Sequence, residues 1–239
     1  AVEPDWTPPS EARRWLCGIA QLATVPVLIT LRMAQWLAPF FTYHFFTGDP
    51  GDSVARAIAA SIVVFLLATL LEFVFAIGGK WLVAGRLKPG VYPLWGATYF
   101  RWWLADRLVE AAPTYLLAGS SLYGWYLRLL GAKIGHDVVI GSLTIRAPDL
   151  LAIGANVSIG NAVNFENARV ERGRLILGRI ALDDDACVSS YAILEGNTQV
   201  GRRGHLEGQS ALPDGGIVPA GRVWNGSPAR DAGAFDPST

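Results

Sequence analysis

Charge, cysteine and histidine are all scarce in this chain. Charged residues make up only 17% of the sequence, and its 20 basic side chains are matched by 20 acidic ones, so the net charge is zero. A protein that binds nucleic acid usually carries a basic surplus, so we expect no nucleic acid partner. The two cysteines, Cys17 and Cys187, lie far apart and have no metal-ligand neighbours. They are predicted to be free thiols of a reducing compartment rather than parts of a disulfide framework.

Several motifs of catalysis and targeting are also missing. The sequence contains no phosphate-binding glycine loop, nucleophile elbow, zinc-ligand spacing or paired-histidine motif like that of ordinary peptide-synthetase condensation domains. The aspartates at 183–185 invite a metal interpretation, but adjacent side chains of a strand point to opposite faces, so we expect a turn and no metal. The N-terminus lacks the apolar run of a signal peptide. Because it does not begin with Met, we expect this chain to come from a longer polypeptide.

Long hydrophobic stretches, in contrast, are abundant in the first half of the chain and raise the mean hydropathy to +0.32. Residues 22–46 and 57–77 are nearly continuous in apolar side chains, and about 20 such residues cross a bilayer core as a helix. We therefore predict a membrane hairpin within residues 1–92, with helices at about 15–46 and 54–79. The alternative is a pair of buried helices in a soluble core.

Basic residues lie at the outer ends of both stretches, at Arg13, Arg14, Lys80, Arg86 and Lys88. The positive-inside rule then places both ends of the hairpin in the cytoplasm. The turn at 47–53 would face outward, and everything after Lys80 would face the cytoplasm. Arg32 and Glu72 interrupt the apolar stretches. We expect each to face protein or water, at different depths, rather than to pair with the other.

The segment 93–130 is predicted to contain interfacial or linking helices. Residues 99–112 mix four charged side chains with tryptophan and leucine, which is typical of a helix at a membrane interface. Packing of this helix on the following domain is an equally good interpretation. Pro113 would end it, and residues 115–130 are predicted to form a second helix.

A repeat with a period of six begins after Gly131. Twelve residues follow this period, and eleven of them are apolar. One extra residue comes after the third of the twelve, and a longer interruption comes after the sixth. A period of six returns to no single face of a helix, whereas three short strands per coil explain it, with each member pointing into a stack of coils. The positions are Ile134, Ile140, Arg146, Ile153, Ile159, Phe165, Leu182, Val188, Leu194, Val200, Leu206 and Leu212.

The interruption at 166–181 is predicted to be a loop that leaves the stack, with a short strand at 175–177. Loops held by a rigid scaffold are common positions for binding and catalysis. The predicted fold class is therefore membrane α plus β. A transmembrane helical hairpin and interfacial helices are followed, over residues 131–239, by a parallel β-helix of hexapeptide repeats with a C-terminal cap.

The repeat, the loop and the ending VPAGRVWNGSPAR resemble the hexapeptide-repeat acyltransferases. The β-helices of that family are left-handed and often close with an Asn-Gly-x-Pro-Ala tail, which residues 225–229 match. The resemblance implies a left-handed coil and a trimer with sites between subunits. The histidine that the family usually places at or near the loop is absent from NFENARVERGR. This departure counts against an acetyltransferase that uses acetyl-CoA.

A closer resemblance covers nearly the whole chain. The segments WLCGIAQLATVPVLI, QWLAPFFTYHFF, FRWWLADRL, YLRLLGAKIG, PDLLAIGANVSIG and LPDGGIVPAGRVWNGSPA are similar to the C-terminal region of ε-poly-lysine synthetases. In these membrane-bound nonribosomal peptide synthetases, an adenylation domain and a carrier domain precede three tandem modules, each of which follows a membrane hairpin. The resemblance implies that this chain is one such module. Its partners would be two sister β-helix modules, in a trimer or an intramolecular pseudo-trimer.

Three residues are candidates for catalysis. Glu166 is the candidate base nearest to the loop, and Asn164 could orient its carboxylate. The alternative interpretation is that Glu166 is a solvated loop residue without a function. His205 lies on the outside of a coil, close to Glu207, where it could take the proton of an attacking amine. A surface histidine without a function is the alternative. His136 has similar standing but lies far from the loop in coil order.

The leading hypothesis is transfer of an aminoacyl group from the phosphopantetheine thioester of a carrier domain to a free amine, at the cytoplasmic face of a bacterial inner membrane. Positioning of the two reactants would supply most of the effect. A membrane-linked acyltransferase that uses acetyl-CoA, and a non-catalytic scaffold copy within a pseudo-trimer, stay open as alternatives. We expect no intrinsic cofactor. The expected partners are membrane lipid, the upstream adenylation and carrier domains, and the sister modules.

Overall fold

Two units make up the computed structural model, which describes residues 9–141 and 143–235. One unit comprises residues 11–85 and 100–113, and the other comprises residues 86–99 and 114–235. The linking segment 93–130 is therefore divided between them. Residues 1–8, which belong to the segment without signal-peptide features, lie outside the described residues.

The first unit begins with two long helices, Glu11–Phe45 (α1) and Val54–Val83 (α2). Both are long and apolar enough to cross a membrane. Many of their large apolar side chains are exposed, including Leu22, Leu66 and Leu70 at 71%, 60% and 61% of their surface. A protein in water rarely leaves so large an apolar surface uncovered. By length, composition and exposure, the two helices are compatible with the expected membrane hairpin.

Polar side chains meet across these two helices. Gln35 Nε2 donates a hydrogen bond of 2.7 Å to Thr69 Oγ1, and Arg32 and Glu72 each lie about one turn away on their helices. The expectation that Arg32 and Glu72 lie at different depths is therefore wrong. The packing of α1 on α2 places residues 32 and 35 opposite residues 72 and 69. In apolar surroundings, polar groups that meet a partner cost much less than isolated ones.

Most of a third helix, Ala97–Ala111 (α3), completes the first unit. Arg101 Nε donates a hydrogen bond of 2.6 Å to the carbonyl of Val83, which the end of α2 would otherwise leave without an intrahelical partner. Gly79 of α2 lies directly against Leu108, because a Cβ at Gly79 would come within 2.8 Å of Leu108 Cδ1. The capped helix end and the glycine contact hold α3 against α2.

Three parallel sheets form the faces of a β-helix in the second unit, and each coil adds one strand to a face. The first face holds Lys133–Ile134 (β2), Leu151–Ile153 (β5), Ile180–Leu182 (β10), Thr198–Val200 (β13) and Ile217–Val218 (β16). The second holds Val139–Ile140 (β3), Ser158–Ile159 (β6), Cys187–Val188 (β11), His205–Leu206 (β14) and Arg222–Asn225 (β17). The third holds Leu143–Ile145 (β4), Val163–Glu166 (β7), Ile193–Glu195 (β12) and Ala211–Leu212 (β15). The predicted parallel β-helix is confirmed, and its left-handed sense stays a prediction from the resemblance.

Stacked apolar side chains fill the interior of the β-helix. Phe165 stands in register with Leu194, which stands in register with Leu212, and all three have no exposed surface. Full burial of such a side chain contributes about 1.5–3 kcal/mol. The eleven apolar positions predicted from the repeat all fall in register. The prediction that Arg146 is the twelfth inward position is wrong. Ile145 is the residue that pairs with Phe165.

The misplaced position has a local cause. The first coil reaches its third face one residue earlier than the period predicts, and a 3₁₀ turn at Pro148–Leu150 takes up the difference before β5. Elsewhere, the chain passes several corners through a left-handed backbone, with φ between +54° and +62°. The non-glycine residues at these corners are Asp137, Asn156, Ala162, Asp185, Tyr191, Asn197, Arg203 and Gln209.

The interruption of the repeat is a β-hairpin of Ala168–Glu171 (β8) and Arg174–Leu177 (β9). A strand from earlier in the chain, Gly90–Pro93 (β1), pairs with β9 and makes a three-stranded antiparallel sheet. The sequence predicted a short strand at 175–177 but neither of the strands that pair with it. Nothing in the sequence near Gly90 indicates a partner so far along the chain.

Two elements close the ends of the second unit. The helix Ser121–Leu129 (α4) precedes β2, and Arg128 Nε donates a hydrogen bond of 2.9 Å to the carbonyl of Ile134. At the other end, Arg230–Ala234 (β18) pairs antiparallel with β17 and ends the second face. An added antiparallel strand shields a sheet edge that would otherwise offer unpaired backbone groups to another chain.

The alternation of outward and inward side chains along β12 gives a direct test of the register. Leu194→Ala should lower the free energy of unfolding of the β-helix by about 2–5 kcal/mol, because Leu194 is fully buried and its removal leaves a cavity. The measurement is urea-induced unfolding in detergent, followed by near-ultraviolet circular dichroism. Ile193→Ala is the matched control, since Ile193 points outward and is 37% exposed. Equal losses in the two variants would contradict the observed register.

Candidate active site on the outer faces of the β-helix

A hydrogen-bonded pair of polar side chains lies on the third face, where the chain enters the hairpin. Val163 and Phe165 of β7 point inward and are fully buried, so Asn164 and Glu166 point outward. Asn164 Nδ2 donates a hydrogen bond of 3.0 Å to Glu166 Oε1, and both residues are half-buried. The structure therefore brings these two candidate residues together.

The base of the hairpin, one residue further on, is held by Asn167, which is fully buried. Its Nδ2 donates a hydrogen bond of 2.7 Å to the carbonyl of Ala147, and its Oδ1 accepts one of 3.1 Å from the N–H of the same residue. The backbone carbonyl of Asn167 accepts a third hydrogen bond, of 2.9 Å, from the N–H of Gly178. These bonds satisfy the buried polar groups at the point where the chain leaves the stack and returns, and so they fix the position of Glu166.

An arginine surrounded by carboxylates lies next to this pair. Arg169 of the hairpin contacts Glu171 at 3.1 Å, Glu195 at 2.9 Å and Asp214 at 2.7 Å. Burial lowers the pKa of the Arg169 guanidinium, but the hydrogen bond and charge of Asp214, with the charges of the two glutamates, raise it above its ordinary value overall. Glu195 also stands in register with Glu166 on the neighbouring strand. Three carboxylates thus contact this guanidinium, and the carboxylate of Glu166 lies on the strand beside one of them.

His205 lies on the second face, in a different polar cluster. Its neighbour Leu206 is fully buried, so His205 points outward. His205 Nε2 lies 2.8 Å from Ser189 Oγ of the previous coil. Glu207, which the sequence places close to His205, instead accepts a hydrogen bond of 3.1 Å from Asn225 Nδ2. The partner of the imidazole in the structure is therefore a hydroxyl group.

A cysteine and an aromatic ring flank the imidazole. Cys187 of β11 stands in register with His205 of β14, and both side chains point outward because Val188 and Leu206 point inward. The ring of Phe235 lies edge-on to the imidazole, with 6.1 Å between the ring centroids. Burial raises the pKa of the Cys187 thiol. The second face thus carries a hydroxyl, a thiol and an imidazole side by side.

The structure does not bring all the candidate residues to one place. Asn164 and Glu166 lie on the third face, and His205 lies on the second. His136 bonds to its neighbour Asp137 at 2.8 Å, and both are exposed. The aspartates at 183–185 lie at a turn, as predicted, and their side chains have separate partners: Gln199 for the first, the N–H of Ala155 for the second, and Asn156 and Arg202 for the third.

Sequence reasoning missed Arg169, which lies in the hairpin outside the repeat, and Ser189, for which the repeat contained a signal. Once Val188 and Leu206 are assigned as inward positions, residues 187, 189, 205 and 207 must share the outer surface of neighbouring coils. That placement predicts proximity of Ser189 to His205. It does not predict which of the outward side chains form a hydrogen bond, because their rotamers depend on their neighbours.

The fold and the outward polar clusters define the class of protein as a hexapeptide-repeat β-helix preceded by two long apolar helices. Over 229 residues the chain is 51% identical to the delta-poly-L-ornithine synthetase of Acinetobacter baumannii, a match that covers 96% of this chain and 17% of the relative. The predicted resemblance is confirmed: the chain is homologous to a region of a poly-amino-acid synthetase. It spans about one sixth of that protein's length.

Solved structures of acetyltransferases match the chain at low sequence identity and low structural similarity. A hexapeptide-repeat acetyltransferase of Vibrio cholerae, in complex with acetyl coenzyme A, is 20% identical with a TM-score of 0.38, and the match covers 51% of this chain and 82% of that one. A serine acetyltransferase of Neisseria gonorrhoeae is 15% identical with a TM-score of 0.36, and the match covers 95% of this chain and 92% of that one. No protein-family model matches the sequence.

The environment of Cys187 predicts slow reaction with an alkylating agent. The thiolate is the reactive form, and burial holds the pKa of this thiol above its usual range. In a Cys17→Ala chain, the rate of reaction with iodoacetamide should therefore continue to rise above pH 9, about tenfold per pH unit. Mass spectrometry of the Cys187 peptide measures the rate. The same chain in urea is the control and should level off near the pKa of a free cysteine. A plateau below pH 8.5 in the folded chain would contradict the assigned burial.

Proposed function

We propose that this chain is one hairpin and β-helix module of a membrane-bound nonribosomal peptide synthetase. In this role it transfers an aminoacyl group, delivered as the phosphopantetheine thioester of a carrier domain, to a free amine of a growing amino-acid polymer. The observation that carries the proposal is the 51% identity to a poly-L-ornithine synthetase over 96% of this chain. The remainder of that relative is long enough to hold the adenylation and carrier domains and the sister modules that the proposal requires.

The charge of the third face supports a cationic amine as the acceptor. Glu171, Glu195 and Asp214 contact the guanidinium of Arg169, and Glu166 stands in register with Glu195, so several carboxylates are concentrated beside this pair. A negative surface attracts ammonium groups and raises their local concentration. Glu166 is the proposed acceptor of the proton that the amine loses as the C–N bond forms, and Asn164 holds its carboxylate in place.

The exposed apolar surfaces of α1 and α2 support a location in the bacterial inner membrane. Paired polar groups such as Gln35 and Thr69 face each other, while leucine and valine side chains point away from the helix pair. This is the arrangement expected of helices in lipid. The basic residues at the ends of the hairpin would then place the β-helix in the cytoplasm, where ATP is present to activate amino acids as thioesters.

Substitution of each candidate base tests the catalytic role of this chain. In the complete polypeptide that contains this chain, Glu166→Gln should lower the rate of polymer formation by about 10²–10⁴-fold, because glutamine keeps the size of the side chain but cannot accept a proton. Asn164→Ala should give a smaller loss, since it only releases the carboxylate. Polymer mass and amount are measured by mass spectrometry after incubation with the amino acid and ATP.

Glu110→Gln is the matched control for Glu166→Gln, because Glu110 is 55% exposed at the side chain, lies outside the carboxylate cluster and makes an exposed ion pair with Arg107 of small energetic value. It should leave the rate nearly unchanged. His205→Gln is measured in parallel. Normal synthesis by both the Glu166 and His205 variants would assign the chemistry to a sister module and leave this one a scaffold. Binding of acetyl-CoA by this chain, with transfer of its acetyl group, would favour the acetyltransferase alternative.

A further inference from the structure

We propose that Ser189 and His205 form a nucleophile and base pair that accepts an acyl group as an ester on Ser189. This inference rests on the proposed function for its donor, which belongs to the thioester class. It goes further by assigning a covalent acyl-enzyme site to the second face of the β-helix, on residues separate from Glu166 and Asn164. The observation that carries it is the distance of 2.8 Å between Ser189 Oγ and His205 Nε2.

The backbone holds the two side chains in this arrangement. Ser189 follows the inward residue Val188 and points outward, and His205 precedes the inward residue Leu206 and also points outward. The N–H of Ser189 donates a hydrogen bond of 2.9 Å to the carbonyl of Leu206, so the two coils are tied together at this point. The serine and histidine are thus diagonal neighbours on a rigid face, and their separation does not depend on a loop.

The surroundings also restrict the imidazole. The edge-on ring of Phe235 lies on one side of it, and the thiol of Cys187 occupies the adjacent outward position. In the tautomer that carries its proton on Nδ1, the imidazole accepts the Ser189 hydrogen bond at Nε2, which is the state in which it can act as a base. A hydroxyl within hydrogen-bond distance of such a nitrogen is the usual arrangement of an activated serine.

The chemistry balances without any additional reactant. Ser189 Oγ attacks the carbonyl carbon of the thioester, and its proton passes to His205 Nε2. The C–S bond then breaks, and the leaving thiolate takes the proton from His205, which leaves an acyl ester on Ser189 and a free thiol. In the second half, an amine attacks the ester carbon and loses its proton to His205, which in this route takes the place of Glu166 as proton acceptor. The C–O bond breaks, and the proton returns to Ser189 Oγ.

Direct detection of the ester tests the proposal. The full chain in detergent is incubated with S-lysyl-N-acetylcysteamine, quenched in acid and digested, and the peptide that contains Ser189 is examined by mass spectrometry. We expect an increase equal to one lysyl group on Ser189, which hydroxylamine removes. Ser189→Ala should abolish the adduct, and His205→Gln should slow its formation by about 10²–10⁴-fold. Ser189→Cys should move the adduct to a thioester at the same position, so loss of the serine is not confused with loss of the fold.

Neighbouring substitutions serve as controls. Ser190→Ala and Cys187→Ala should both keep the adduct, because neither side chain takes part in the proposed transfer. The Ser190 hydroxyl instead accepts a hydrogen bond of 3.0 Å from the N–H of Asn161. An adduct on Cys187 instead of Ser189, or no adduct on either, would overturn the proposal. Polymer assays separate it from the proposed function. Normal synthesis by Ser189→Ala with loss of synthesis in Glu166→Gln would refute the ester route alone. A Ser189 adduct that amines remove, with polymer formation unchanged in both Ser189→Ala and Glu166→Gln, would refute the proposed function alone.

Discussion

The alternation of inward and outward side chains along the short strands is the constraint on which the second unit depends. Inside, Phe165, Leu194 and Leu212 stack directly on one another, and a residue of another size would leave a cavity or a clash in the neighbouring coil. Outside, the same strands leave every second residue free to vary. The polar clusters at Glu166 and at His205 occupy these outward positions, so chemistry can be built on the faces without disturbing the core.

The insertion of the hairpin shows how a regular stack accommodates an irregular segment. The chain leaves the stack at Asn167, so no strand continues there beside the first coil. Backbone groups of that coil would otherwise pair with such a strand. The Asn167 amide replaces that strand, because it presents one donor and one acceptor to the carbonyl and N–H of Ala147. Arg169 then binds carboxylates of two later coils, Glu195 and Asp214. The hairpin is therefore attached to the scaffold at its base and along one strand, and Glu166 immediately precedes the base.

The core of the β-helix could be predicted from the sequence because burial requires apolar side chains at a fixed period. Eleven positions followed this period, and all of them are in register. Arg146 did not, because the period carries no information about the shorter side before Ile145 or about the 3₁₀ turn at Pro148–Leu150 that lengthens the connection after it. The pairing of β1 with β9 is a contact between segments about eighty residues apart, and no local pattern encodes it.

The candidate sites were predictable to a smaller degree, for a related reason. Asn164 and Glu166 are two residues apart on one strand, so alternation alone places them on the same side. The partner of His205 required knowledge of which coils are adjacent, and proximity in sequence pointed to Glu207 instead of Ser189. The prediction that Arg32 and Glu72 lie at different depths failed for a similar reason. It did not include the offset between the two helices, which only the contact of Gln35 with Thr69 reveals.

The separation of the two polar clusters has a mechanistic consequence. The third face has an excess of carboxylates and suits a cationic amine, whereas the Ser189–His205 pair lies beside a thiol and an aromatic ring and suits an acyl group. The two clusters lie on different faces of one β-helix. An acyl group on Ser189 would meet an amine held near Glu166 of the same module only after travelling around a corner of the coil. If the second face of one module opposes the third face of a neighbour, the two groups can meet directly. In such an arrangement, the donor and acceptor positions would come from different copies of the module.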